Sequence, residues 1–194
     1  MIATLATLLL LAQSPQVAAP APTPPPEPPK WEVYMGLQGG LRPDSVGFGG
    51  AGFLGATRQI VSFLRAELGL GLGAYSTPID QSFDMVTLIR IGARLEWPGL
   101  DRWHPFLAVA FAHQHETPWV HVKMDPVPAV LGLSEHGVHH RSGIETGLGL
   151  AYDLRARKGV PVGGRIGVKA SVTHLLGDGA PRYVELTTLV GLTF

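Results

Sequence analysis

From residue 31 to the end of the chain, apolar residues recur at every second position over most of the sequence. In the stretch 182–194, Val184, Leu186, Thr188, Val190, Leu192 and Phe194 share one face, and Tyr183, Glu185, Thr187, Leu189, Gly191 and Thr193 share the other. Strict alternation marks a strand whose two faces meet unlike surroundings. Eight such segments are delimited, at 31–42, 46–57, 60–75, 84–97, 103–116, 141–154, 162–175 and 182–194, with Pro, Gly, Asp or charged turns between them. No convincing amphipathic helix follows residue 31, and no run of about 20 apolar residues exists to form a helical span.

The two faces differ in kind. Leu64, Ala66, Leu68, Leu70 and Leu72 oppose Arg65, Glu67, Gly69, Gly71 and Gly73. Ile89, Ile91, Ala93, Leu95 and Trp97 oppose Arg90, Gly92, Arg94 and Glu96. Ile144, Thr146, Leu148, Leu150 and Tyr152 oppose Glu145, Gly147, Gly149 and Asp153, and Ile166, Val168, Ala170 and Val172 oppose Arg165, Gly167, Lys169 and Ser171. The second segment is too rich in glycine to assign a face. A soluble eight-stranded barrel would turn its apolar face inward and its polar face to water. A water-facing surface has no reason to mix long charged side chains with so many glycines, whereas the interior of an eight-stranded barrel has room only for side chains. The polar face is therefore assigned to the interior: Glu32, Arg65, Glu67, Arg90, Arg94, Glu96, Glu145, Asp153, Arg165, Lys169 and Glu185. This set is nearly neutral, so its members can pair and avoid the several kcal/mol that a lone buried charge costs.

Aromatic residues give an independent test. With the first strand starting in the periplasm, Trp31, Trp97, Trp103, Tyr152 and Phe194 all fall at periplasmic strand ends and on the lipid-facing parity of their strands. Transmembrane barrels carry such aromatic girdles at the membrane interfaces. The pattern predicts an all-β protein, an eight-stranded antiparallel up-and-down transmembrane β-barrel. Its one long connection, 117–140, joins the fifth and sixth strands on the extracellular side. The stretch 31–194 resembles the small eight-stranded bacterial outer-membrane barrels of the OmpA/OmpX type in strand count, alternation and terminal Phe194. That resemblance implies recognition of the last strand by the barrel assembly machinery of a Gram-negative bacterium. It brings no active-site motif.

Composition narrows the picture further. The formal net charge is zero, so no basic excess points to nucleic acid. Cysteine is absent, which excludes disulfides, thiolate metal sites and a lipidated cysteine. Residues 2–12 form an apolar run of signal-peptide length, so 1–19 is assigned as an export signal. Residues 20–30 carry seven prolines and are assigned as an extended linker, with the barrel at 31–194. An integral outer-membrane location follows, with membrane lipid and lipopolysaccharide as surroundings, and a monomer is expected.

Candidate chemistry is sparse, and no cofactor is expected. Histidines 113, 115, 121, 136, 139 and 140 lie in or beside the long connection. His113 and His115 point the same way on a strand, a spacing able to share one metal ion, and His121 and the His136–His139–His140 group meet them if the loop folds back, with His121 taken as the third ligand. His113 also continues the lipid-facing parity of Leu107, Val109 and Phe111. That placement resembles the lipid A deacylases, eight-stranded barrels with a His-x-Ser pair on the outer wall, but the triplet here is His113-Gln114-His115, without the serine nucleophile. Gly47–Gly52 and Gly69–Gly73 lack the following helix that phosphate-binding loops need. The functions left open are a non-enzymatic barrel with a structural or surface-interaction role, a narrow pore or transporter for small solutes, and a lipid-modifying or metal-binding barrel using the histidine-rich loop.

Overall fold

The computed structural model describes residues 30–43, 47–76, 82–97, 100–133, 137–154, 162–177 and 179–194. The stretch 1–19 assigned as an export signal, nearly all of the stretch 20–30 assigned as a linker, and His136 lie outside them. Eight antiparallel strands form a closed barrel in which each strand pairs with its sequence neighbours and the eighth pairs with the first. They are β1 (Trp31–Arg42), β2 (Gly47–Val61), β3 (Leu64–Ser76), β4 (Phe83–Glu96), β5 (Trp103–Pro118), β6 (His139–Leu154), β7 (Gly163–Leu175) and β8 (Arg182–Thr193).

Closure is completed where β1 starts and the strand β8 ends. The Trp31 amide donates to the Phe194 carbonyl at 2.9 Å, and the Phe194 amide returns a bond to Trp31 at 3.0 Å. Every strand thus has a partner on both edges, which removes the exposed edges that membranes do not tolerate. The apolar parity lies outside: Leu37, Leu54, Leu70, Ile91, Leu148, Leu186 and Val190 are all exposed on the outer wall. In water so large a continuous apolar surface would be a liability, and in lipid it is the favoured surface.

Three features depart from the sequence reading. The β2–β3 turn falls at Ser62 and Phe63, not at 58–59, because β2 continues through a register irregularity between Gln59 and Val61. The second strand, whose face was unassigned, points Phe53 and Thr57 inward and Phe48 and Leu54 outward. The long connection contains two short helices, α1 (Trp119–Met124) and α2 (Pro126–Leu131). Six residues each are too few for a helical period to show in the sequence. Pro126 stands in the first turn of α2, where its missing amide costs nothing, and Gly132 ends that helix with φ 71°.

Candidate functional site

The barrel interior is filled by three tiers of polar side chains. At the end carrying the chain termini, Arg94 meets Glu67 at 3.3 Å and Glu32 at 3.4 Å, and Arg165 meets Glu96 at 2.8 Å, Asp153 at 2.6 Å and Glu32 at 3.4 Å. Arg65 donates to Thr57 at 2.9 Å and lies 3.9 Å from Glu96. In the middle tier, Arg90 reaches Glu185 at 3.1 Å and pairs with Glu145, which also holds Lys169 at 2.5 Å. Gln38 joins this tier through Arg90 at 3.0 Å and through Glu185. All eleven residues assigned to the interior project from the inward face, with Asp153 the most exposed of them at 29%.

The third tier, near the opposite end, was not anticipated. Arg42 donates to Glu116 at 3.0 Å, to the Tyr183 hydroxyl at 2.6 Å and to Asp84 at 3.3 Å. Arg141 reaches the second Glu116 oxygen at 3.2 Å, and Gln114 donates to Tyr183 at 2.7 Å. Arg42 and Glu116 share the inward parity of Glu32 and Phe106 on their own strands, so alternation carried to the segment ends was the signal that pointed to them.

Glycine makes room inside the barrel for charged chains and for aromatic rings alike: a Cβ at Gly191 would meet Glu32 Oε1 at 3.2 Å, and one at Gly147 would meet Lys169 Cγ at 3.3 Å. Tyr34 pairs with Gly55, Phe53 with Gly71 and Phe106 with Gly149 across neighbouring strands. Each ring lies flat over its glycine: a Cβ at Gly71 would meet Phe53 Cζ at 2.8 Å, and one at Gly149 would meet Phe106 Cε1 at 2.6 Å. Guanidinium groups cap the rings from the lumen side, Arg90 at 4.2 Å from the Phe53 centroid and Arg94 at 4.6 Å from that of Phe106. Glycine, ring and cation stack from wall to axis, and each desolvated cation gains attraction from the ring face.

On the outer wall, Trp31, Trp97, Trp103 and Phe194 are exposed at the terminal end, and the Tyr152 ring lies 4.7 Å from Trp103. At the other end the helices α1 and α2 fold back over the outer faces of β4 and β5. Met85, Val122 and Ala129 form a small buried cluster, Thr87 donates to the Val130 carbonyl at 2.8 Å, and Thr117 donates to the Ala129 carbonyl at 3.2 Å. Trp119, Val120, Met124, Val127, Leu131 and Leu133 point away from the barrel and are exposed.

Beside this hood lie the half-buried His113 and His115 and the exposed His140, whose ligating nitrogens are all within 4.8 Å of one another. The register explains the grouping. His115 is paired directly with His140 on β6, and His113 with Ser142, so all four share the outer face. His121 is on α1 with its ring against Gly137, outside the group. His140, not His121, stands third beside the two strand histidines, because cross-strand pairing is set by register and not by loop length.

No family model and no curated protein matches the sequence. Among solved structures, Neisserial surface protein A is similar with a TM-score of 0.57 and 12% identity, covering 87% of this chain and 100% of that chain. Ail, the attachment invasion locus protein of Yersinia pestis, is similar with a TM-score of 0.50 and 9% identity, covering 86% of this chain and 98% of that chain. At such identity the likeness is one of fold. The fold is that of the small eight-stranded outer-membrane β-barrels.

Proposed function

We propose that this protein is a non-enzymatic barrel of the bacterial outer membrane with a structural or surface-interaction role and a lumen closed by its own side chains. The observation that carries this reading is the three-tier interior network, in which Arg94, Glu32 and Glu145 are essentially without solvent exposure. An eight-stranded barrel is just wide enough for its side chains to fill, and here paired charges and aromatic rings occupy the axis from one end to the other. Orientation is read from the connections, since such barrels keep their longer loops outside: the start of β1 and the end of β8 face the periplasm, and the α1–α2 hood lies toward the outer leaflet. The exposed apolar side chains of α1 and α2 suit the lipid boundary, where Trp119 would sit at headgroup level. The hood is therefore a lipid-contacting element, and the polar residues at the barrel mouth are left to meet other molecules. The similar barrels from Neisseria and Yersinia bear names that describe a surface protein and an attachment protein, in keeping with such a role. Export by residues 1–19 and delivery of β8 to the assembly machinery complete the reading.

The test is electrical. Purified barrel reconstituted into planar bilayers should give no stable single-channel conductance. Discrete, reproducible steps in the wild-type protein would overturn the closed-lumen reading in favour of a narrow pore.

A further inference from the structure

We propose that His113, His115 and His140 form a binding site for one divalent first-row transition-metal ion on the outer wall of the barrel, with Zn²⁺ as the reference ion. Imidazole is the ligand type that such ions share, and three histidines with an open position is a recurrent zinc arrangement.

Three observations converge. The Nε2 atoms of His113 and His115 stand 2.9 Å apart, an approach at which two neutral rings can share only one proton. The His115 ring centroid is 4.8 Å from that of His113 and 4.6 Å from that of His140, so His115 is the hub of the group. Zinc–nitrogen bonds of about 2.1 Å in a tetrahedral site place ligand nitrogens about 3.4 Å apart. Bringing the 4.8 Å limit of this group to that spacing takes a movement of about 1.4 Å at the side-chain tips, within the reach of imidazole rotation.

The surroundings fit a ligand set. Nδ1 of His113 lies 3.0 Å from Ser142 Oγ, the kind of outer hydrogen bond that fixes the tautomer and ring orientation of a ligating histidine. Glu116 is adjacent in sequence but points into the barrel, where Arg42 and Arg141 hold it. From β4, Thr87 and Ile89 face His115 and His113, and the Thr87 hydroxyl is committed to Val130. With Glu116 turned inward, the ion would keep its charge beside the hood, and would tie the end of β5 to the start of β6, the two strands that bracket α1 and α2.

The experiment uses untagged, full-length protein folded in detergent, stripped with a chelator and titrated with ZnCl₂ by calorimetry at pH 7.5. One ion should bind per barrel. His113→Ala, His115→Ala and His140→Ala should each weaken binding by about 100-fold or more, and Ser142→Ala by about tenfold, the usual cost of losing an outer-shell partner. His121→Ala should bind as wild type does. Affinity should fall as the pH is lowered, because a protonated imidazole cannot ligate. Folding of each variant is checked by the difference in gel mobility before and after boiling, with His140→Gln as a second, less disruptive replacement. Absence of saturable one-to-one binding would overturn the proposal. So would binding that survives both His140→Ala and His140→Gln, or that is lost equally in His121→Ala.

Discussion

Replacing Arg94 by methionine gives the most direct measure of what holds this barrel closed. Arg94 has no solvent exposure, and its guanidinium lies 3.3 Å from Glu67, 3.4 Å from Glu32 and 3.8 Å from Glu96. Removing it affects the three carboxylates unequally. Glu32 retains Arg165 at 3.4 Å and the Thr57 hydroxyl at 3.2 Å, and Glu96 retains Arg165 at 2.8 Å. Glu67 keeps the Tyr34 hydroxyl at 2.6 Å but loses its guanidinium. Breaking one side of a buried pair leaves an uncompensated charge and costs about 3–5 kcal/mol. Arg94→Met should therefore lose that much stability, while Arg94→Met combined with Glu67→Gln should recover most of it, since the stranded charge is then gone. The assay is equilibrium unfolding in urea from lipid vesicles, followed by tryptophan emission, with both single variants and the double completing a thermodynamic cycle. An Arg94→Met variant within about 1 kcal/mol of wild type would refute the reasoning, as that is the range of solvated pairs and not buried ones. A double variant no more stable than the single would refute it too.

Two further outcomes test other parts of the molecule. Gly149→Val should destabilise the barrel by about 1–3 kcal/mol through overpacking, because its side chain would collide with the Phe106 ring; the same urea titration reads the effect. If the α1–α2 hood lies in lipid, Trp119 emission in a Trp31→Phe/Trp97→Phe/Trp103→Phe variant should be quenched by brominated lipids, and quenching by aqueous iodide alone would place the hood in water.

Much of the interior is legible in the sequence. A β-strand has a side-chain period of two, so one confident assignment in a strand sorts all its other residues. This is why Arg65, Glu67, Arg90, Arg94, Glu96, Arg165 and Lys169 could be placed inside from their spacing alone. Arg42 and Glu116 obeyed the same rule, yet they stand at strand ends where alternation blurs into turn. The aromatic layer was hidden for another reason. Tyr34 over Gly55 and Phe106 over Gly149 are relations between strands, and nothing in either strand alone states which residues will be opposed.

The amino-acid sequence by itself determined the strand count, the sorting of inside from outside in every strand but β2, and the apolar belt with its aromatic end. These follow from local stereochemistry and from where water and lipid must lie. Tertiary structure alone decided partnership. Register set which carboxylate each cation meets, which glycine receives each ring, and that His140 and not His121 stands beside His113 and His115. It also folded α1 and α2 back onto the wall, because Met85, Val122 and Ala129 can bury one another only when loop and barrel meet. Period is a property of one strand and register a property of two, so only the closed ring could settle these contacts.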